Sequence, residues 1–84
     1  MNIYTEIKNV KTKEDFLRFL EMLANDRKSN AEEWENKSVE DYLLSIQSWT
    51  EDMEGYYENN NLEVPQNVDW NFIATIFYVG KIYE

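Results

Sequence analysis

From Val39 onward, apolar side chains recur at Tyr42, Leu43, Ile46, Trp49 and Met53, and then at Tyr56 or Tyr57. Steps of three and four sustained over this length place them on one stripe of a helix. Ser38, followed three residues later by Asp41, supplies an N-terminal cap signature. The pattern therefore predicts a helix over 39–57. Gly55 sits near its end, where a glycine inside a helix costs about 1 kcal/mol. Either the helix stops there with glycine as a left-handed cap, or a neighbouring backbone comes close enough to require it.

The same reasoning predicts a shorter amphipathic helix over 13–26. Thr12 with Asp15 forms a capping box with Asp in the Glu/Gln role, and Phe16, Leu17, Phe19, Leu20 and Leu23 follow at helical spacing. Glu14 and Arg18 make an i,i+4 pair in the favoured orientation. The preceding segment, with Ile3, Tyr4, Ile7 and Val10, fits an extended strand and a helical lead-in equally well. Asn30 with Glu33 repeats the cap signature and predicts a short helical turn near 31–36, around Trp34. Residues 58–68 read as a loop: three consecutive Asn, then Val64-Pro65, which favours extended backbone before the proline. Asn67 or Asp69 then caps a last helix over 69–83, polar only at Asn71, Thr75 and Lys81. A helix apolar almost all round is a buried one. In so short a chain part of it is expected to face a second copy, which predicts a homodimer through this C-terminal helix. The fold class is all-α, a single helical domain over 1–84 with three main helices and one short turn.

Composition narrows the chemistry. Eighty-four residues make one domain, and a chain of that size buries only about 60–65% of its unfolded surface. Three Trp, six Tyr and four Phe offset this, since each ring covers roughly 150–250 Å². Cysteine and histidine are both absent. That removes disulfides, thiolate sites and thiol nucleophiles, together with the commonest general base and metal ligand near neutral pH. Catalysis is accordingly not expected. Glycine occurs only at 55 and 80, so there is no phosphate-cradling loop. There is no N-terminal apolar h-region and no long apolar run, and a soluble, cytoplasmic protein is expected.

Charge adds the sharpest hint. Between Asn30 and Asp69 there are eleven acidic side chains and one basic one, Lys37, whereas the first twenty-nine residues carry six basic and five acidic groups. The net charge of −9 is therefore concentrated in the middle of the chain. Such a field attracts a basic protein partner and repels nucleic-acid phosphates and anionic lipid. On 100° steps Glu40, Glu51, Glu54 and Glu58 fall on one flank of the 39–57 helix beside its apolar face, with Gln47. This stripe is either a surface for Lys and Arg of a partner or a solvated face that keeps an aromatic-rich protein in solution. Tyr56 and Tyr57 project in different directions, so one is expected at the rim beside Glu54 and Glu58 as an interface anchor. The alternative is a buried Tyr with its hydroxyl bonded. Trp34, among Glu32, Glu33 and Glu35, is expected to plug the end of the bundle, an exposed anchor being the alternative.

Metal and cofactor sites are not expected. Placing Gly55 sixth in a calcium loop puts Thr50 first and Asn61 twelfth, which are the wrong ligands. A carboxylate di-metal centre in a bundle wants Glu-x-x-His. Glycosidase-type chemistry needs two opposed acids, and no pair is singled out here.

Asp41-Tyr42-Leu43, Trp49-x-x-Asp52-Met53-x-Gly55-Tyr56-Tyr57, Val64-Pro65, Trp70-x-x-Ile73-Ala74 and Lys81-Ile82-Tyr83-Glu84 together resemble a family of small acidic bacterial proteins of unassigned function. The resemblance spans residues 38–84 and implies that Asp52, Gly55, Tyr56 and Tyr57 belong to a motif. In size and charge alone the chain is similar to bacterial immunity proteins. The expectation is a non-catalytic protein-binding module of immunity or inhibitor type. Glu40, Glu51, Asp52, Glu54, Tyr56, Tyr57 and Glu58 would meet a basic partner. The alternative is a structural or regulatory homodimer whose acidity serves solubility only, and a third reading is an enzyme using Asp52 with Tyr56 or Tyr57.

Overall fold

A computed structural model describes residues 3–83 of the chain. Among them the fold is all-α: α1 (Ile3–Glu6) runs into a 3-10 turn (Ile7–Asn9), followed by α2 (Lys13–Ser29), a second 3-10 turn (Ala31–Glu33), α3 (Val39–Asn59) and α4 (Trp70–Ile82). The undecided N-terminal segment is thus helical. Met1, Asn2 and Glu84, the last residue of the resemblance motif, lie outside the described residues.

Side-chain caps set the helix starts. Thr12 Oγ1 accepts from the Asp15 amide at 3.1 Å while Asp15 Oδ2 accepts from the Thr12 amide at 3.2 Å, closing the box. Ser38 Oγ accepts from the Asp41 amide at 3.0 Å. Asp69, rather than Asn67, caps α4, its Oδ1 accepting from the Phe72 amide at 2.7 Å. Two expected pairings are replaced. Arg18 bonds Asp15 instead of Glu14, and Asn30 does not cap the short turn but donates to Asp26 Oδ1 at 3.0 Å. The short turn is correspondingly brief, spanning Ala31–Glu33. Helix α2 runs three residues past the expected end, with Arg27 and Lys28 in its last turn, where cations suit the helix dipole.

Helix α3 continues through Gly55 to Asn59, so neither expectation for that glycine is met. It is not a left-handed cap, and a β-carbon built on it would find nothing within 4 Å. The cap lies six residues on. Asn61 adopts φ 56°, its amide donates to Glu58 O at 3.1 Å, and the Leu62 amide donates to Tyr57 O at 2.8 Å. This is the paired hydrogen-bond pattern of a Schellman ending. Asparagine tolerates that conformation better than other side-chain-bearing residues, which gives the Asn run a structural role.

Helix α4 is the centre of the molecule and packs against α2, α3 and the first 3-10 turn. Phe72, Ala74, Thr75, Val79 and Gly80 are buried along it. Of its residues only Trp70 and Ile82 are exposed, while Ile73, Ile76, Phe77 and Tyr78 are half-buried. One core cluster gathers Ile3, Ile7, Val10, Phe19, Leu23, Trp34 and Ala74. The other gathers Trp49, Tyr57, Phe72 and Val79.

Trp34 plugs one end of the bundle. It is buried, its Nε1 donates to Asp26 Oδ2 at 2.9 Å, and its ring stacks on Tyr42 with centroids 6.1 Å apart. Lys81 reaches the same carboxylate at 2.7 Å. The carbonyls ending α4, which a helix leaves unpaired, are met from the neighbouring loop and from α3. Asn36 Nδ2 donates to Gly80 O at 3.0 Å and Tyr83 O at 2.7 Å, and Ser45 Oγ also donates to Tyr83 O. Gly80 is required by contact, because its β-carbon would lie 2.5 Å from Tyr42 Cε1. Tyr42 is anchored there by its hydroxyl, which donates to Phe77 O at 2.6 Å. Among the described residues no helix is long and apolar enough to cross a membrane.

Candidate functional site

The seven residues expected to form one binding face fall on two sides of α3. Its inner stripe is fixed by Ser45, Trp49 and Tyr57, all buried against α4 and its flanks. Helical geometry then carries Glu40, Gln47, Glu51, Glu54 and Glu58 to the opposite, outward side, and each of them is exposed. The stripe therefore lies across the helix from the core rather than beside the apolar face. Leu43 and Leu44 share this outward half of α3 at 58% and 55% exposure. The two ion pairs among the described residues, Arg18–Asp15 and Lys81–Asp26, leave these carboxylates without a partner cation. Lys37, the nearest base in sequence, donates instead to Ala31 O at 3.2 Å and Trp34 O at 2.9 Å.

Asp52, Tyr56 and Tyr57 belong to the other side, where α3 borders a pocket of about 540 Å³. Asn71, Thr75, Tyr78 and Val79 of α4 contribute its floor, Tyr4, Ile7 and Lys8 one wall, and Trp49, Asp52, Gly55 and Tyr56 of α3 the other. The volume is that of small-molecule sites. Six aromatic residues line it: Tyr4, Trp49, Tyr56, Tyr57, Tyr78 and Tyr83. They meet obliquely or edge to face, with centroids 5.6 Å apart for Tyr4 and Tyr78, 5.6 Å for Trp49 and Tyr56, and 5.1 Å for Tyr56 and Tyr57. Such packing suits the ring quadrupoles and leaves more ring surface open than flat stacking.

The pocket's framework is held by bonds between elements far apart in sequence. Asn71 Nδ2 donates to Ile7 O at 2.7 Å and ties the first 3-10 turn to α4. Tyr4 of α1 lies close enough to Tyr56 of α3 to raise its phenol. The Tyr83 hydroxyl donates to Asp52 Oδ2 at 2.8 Å and bridges the end of α4 to α3. These surroundings hold the phenols neutral. Burial, reinforced by Tyr4, pushes Tyr56 up to about 12, and burial also raises Tyr57 and Tyr78. The hydrogen bond to Asp52, ahead of burial, raises Tyr83. The pocket thus presents several tyrosine rings and a single acidic side chain, Asp52, with Lys8 as its one basic lining residue. Among the described residues no three carboxylates converge as metal ligands.

Tyr57 is 8% exposed and Tyr56 half-buried, so neither is a rim anchor beside Glu54 and Glu58; both pack on Trp49. Tyr4, Lys8, Asn71, Tyr78 and Tyr83 escaped the sequence reading as site residues. The only signal for them was the density of Tyr itself, because their convergence depends on α1 folding back over α4.

The chain belongs to the family of unknown function DUF7660, which it matches over residues 12–84. Among curated proteins and among solved structures, none matches it.

Proposed function

We propose that this member of the family is a non-catalytic binding module of inhibitor or immunity type that docks the outward face of α3 onto a basic protein partner. One observation carries the reading: exposed Leu43 and Leu44 sit on the same half of the helix as four exposed carboxylates that no cation of the described chain neutralises. Solubility alone would favour the charges but not two exposed leucines beside them. Apolar anchors within a charged surround are the composition of a protein interface. The acidic field would accelerate encounter, and the leucines would set residence time.

The test is a low-salt capture of partners from the source cell, followed by kinetics with the purified candidate. The reading expects an association rate that falls steeply with added salt. Gln at positions 51, 54 and 58 should slow association about ten-fold or more, as loss of electrostatic steering does. Leu43→Ser with Leu44→Ser should speed dissociation instead. A partner whose association ignores both salt and the Gln substitutions would overturn the reading. So would a chain that captures nothing basic and self-associates, which would favour the homodimer with solubilising acidity.

A further inference from the structure

The pocket between α1, α3 and α4 lies on the other side of α3 from the acidic stripe, and the proposed docking face makes no use of it. Its deeper lining is apolar and tightly held, with Trp49 at 3% and Val79 at 5% exposure. Its mouth is open, since Tyr4, Asp52, Gly55 and Leu62 are all exposed. Gly55 is part of the reason: it stands within a helix, has no turn to make, and nothing approaches within 4 Å of where its side chain would be. Gly55 borders this mouth as a lining residue.

We propose that this pocket binds an organic ammonium, a singly charged cation on an aromatic or alkyl body, held by the ring surfaces of Tyr4, Tyr56, Tyr78 and Tyr83 with Asp52 as counter-charge. Of the six aromatic residues that line the cavity, Tyr4, Tyr56, Tyr78 and Tyr83 keep exposed ring surface of the kind that attracts a cation. The phenols of Tyr56, Tyr78 and Tyr83 remain neutral, so a soft, poorly hydrated ammonium is favoured over a metal ion, which would require several converging oxygens. Asp52 carries the only carboxylate of the lining, and its bond from Tyr83 aims it along the α3 wall. Charge selects against the opposite ligand class. An anion would meet a chain of net charge −9 with a single basic lining residue, Lys8, to receive it. The volume of about 540 Å³ exceeds that of a bare trimethylammonium group and calls for an apolar body beside the charge.

The experiment titrates the full chain by NMR with phenethyltrimethylammonium and with its uncharged isostere, in which carbon replaces nitrogen. The cation is expected to bind about ten-fold more tightly, the ratio that a desolvated cation–π contact of about 1.4 kcal/mol gives. Asp52→Asn, which keeps an acceptor for Tyr83, should weaken the cation several-fold and leave the isostere unaffected. Lys8→Met should tighten the cation, whereas a carboxylate-bearing ligand would be weakened by it. Equal affinity for cation and isostere would overturn the proposal, as would indifference to Asp52→Asn or no cation binding by the wild-type chain up to about 10 mM, a limit near −2.7 kcal/mol. Gln at 51, 54 and 58 should perturb ammonium binding less than Asp52→Asn alone, so this site and the partner face fail or stand separately.

Discussion

Gly55→Ala separates the two local structures that the sequence allowed at this position from the one observed. In a helix interior with open space around it, the added methyl meets no obstacle within 4 Å. The change then reduces to helix propensity, with alanine favoured by about 0.8–1 kcal/mol. Part of this acts by restricting the unfolded chain. For a domain of this size, about 1 kcal/mol raises the melting temperature by roughly 4–8 °C. The assay is urea unfolding followed by far-UV circular dichroism, with a higher midpoint and an unchanged m-value expected. Had the helix ended at Gly55 in a left-handed cap, the same substitution would strain the backbone and lower stability by about 1 kcal/mol or more. Had a backbone packed against it, the methyl would clash and the loss would be larger. The sign of the change is therefore the test. A lowered midpoint would refute an unbroken α3 and, with it, the cavity wall that Gly55 helps to form.

Gly80→Ala should do the opposite, because its methyl would lie 2.5 Å from the Tyr42 ring. A loss of about 1–3 kcal/mol is expected, and Gly80→Ala combined with Tyr42→Leu should recover part of it in a double-mutant cycle. At Asn61, with φ 56°, Asn61→Gly should be neutral or slightly stabilising and Asn61→Val should cost about 1–2 kcal/mol in the same unfolding assay. Burial pushes the Asp26 carboxyl up, but hydrogen bonds from Lys81, Asn30 and Trp34, with the Lys81 charge, outweigh it and hold it below the ordinary 3.8. A group depressed on folding stabilises fully above its unfolded pKa and loses that contribution as pH falls through the folded value. Asp26→Asn should therefore flatten the stability profile below about pH 3.8. It should also cost roughly 2–3 kcal/mol at neutral pH, short of the 3–5 kcal/mol for a fully buried pair.

The helices were legible where a local rule decided them. Thr12, Ser38 and Asp69 cap through bonds to residues three positions on, an interaction contained within four residues and so visible in the sequence. The core stripe of α3 follows from spacing at Tyr42, Ile46, Trp49, Met53 and Tyr57, but Leu43, counted in that stripe, is exposed on the outward half because no element packs over it there. Errors arose where two local rules competed. Gly55 satisfied the composition of a cap, yet the chain supplied a better stop in Asn61, whose left-handed conformation could not be told apart among three consecutive asparagines. The last helix is apolar over more of its circumference than three helices alone would cover, which is why its spacing points to a further packing partner. The short N-terminal segment, folded back as α1 and a 3-10 turn with Ile3, Ile7 and Val10 buried, helps supply that cover.

The two candidate sites differ in legibility for a physical reason. The acidic face is a property of one helix, so its members could be found by spacing, although a stripe placed beside the core turned out to lie opposite it. The pocket is a property of topology. Tyr4 and Tyr56 stand fifty-two positions apart and Asp52 and Tyr83 thirty-one apart, and no periodicity relates them. Within the run from Trp49 to Tyr57, Asp52, Gly55, Tyr56 and Tyr57 all line that pocket, while Glu51 and Glu54 face out. A single run of nine residues thus serves both surfaces by alternating around the helix. Changes confined to Glu51, Glu54 and Glu58 or to Asp52 therefore test the two proposed binding surfaces independently.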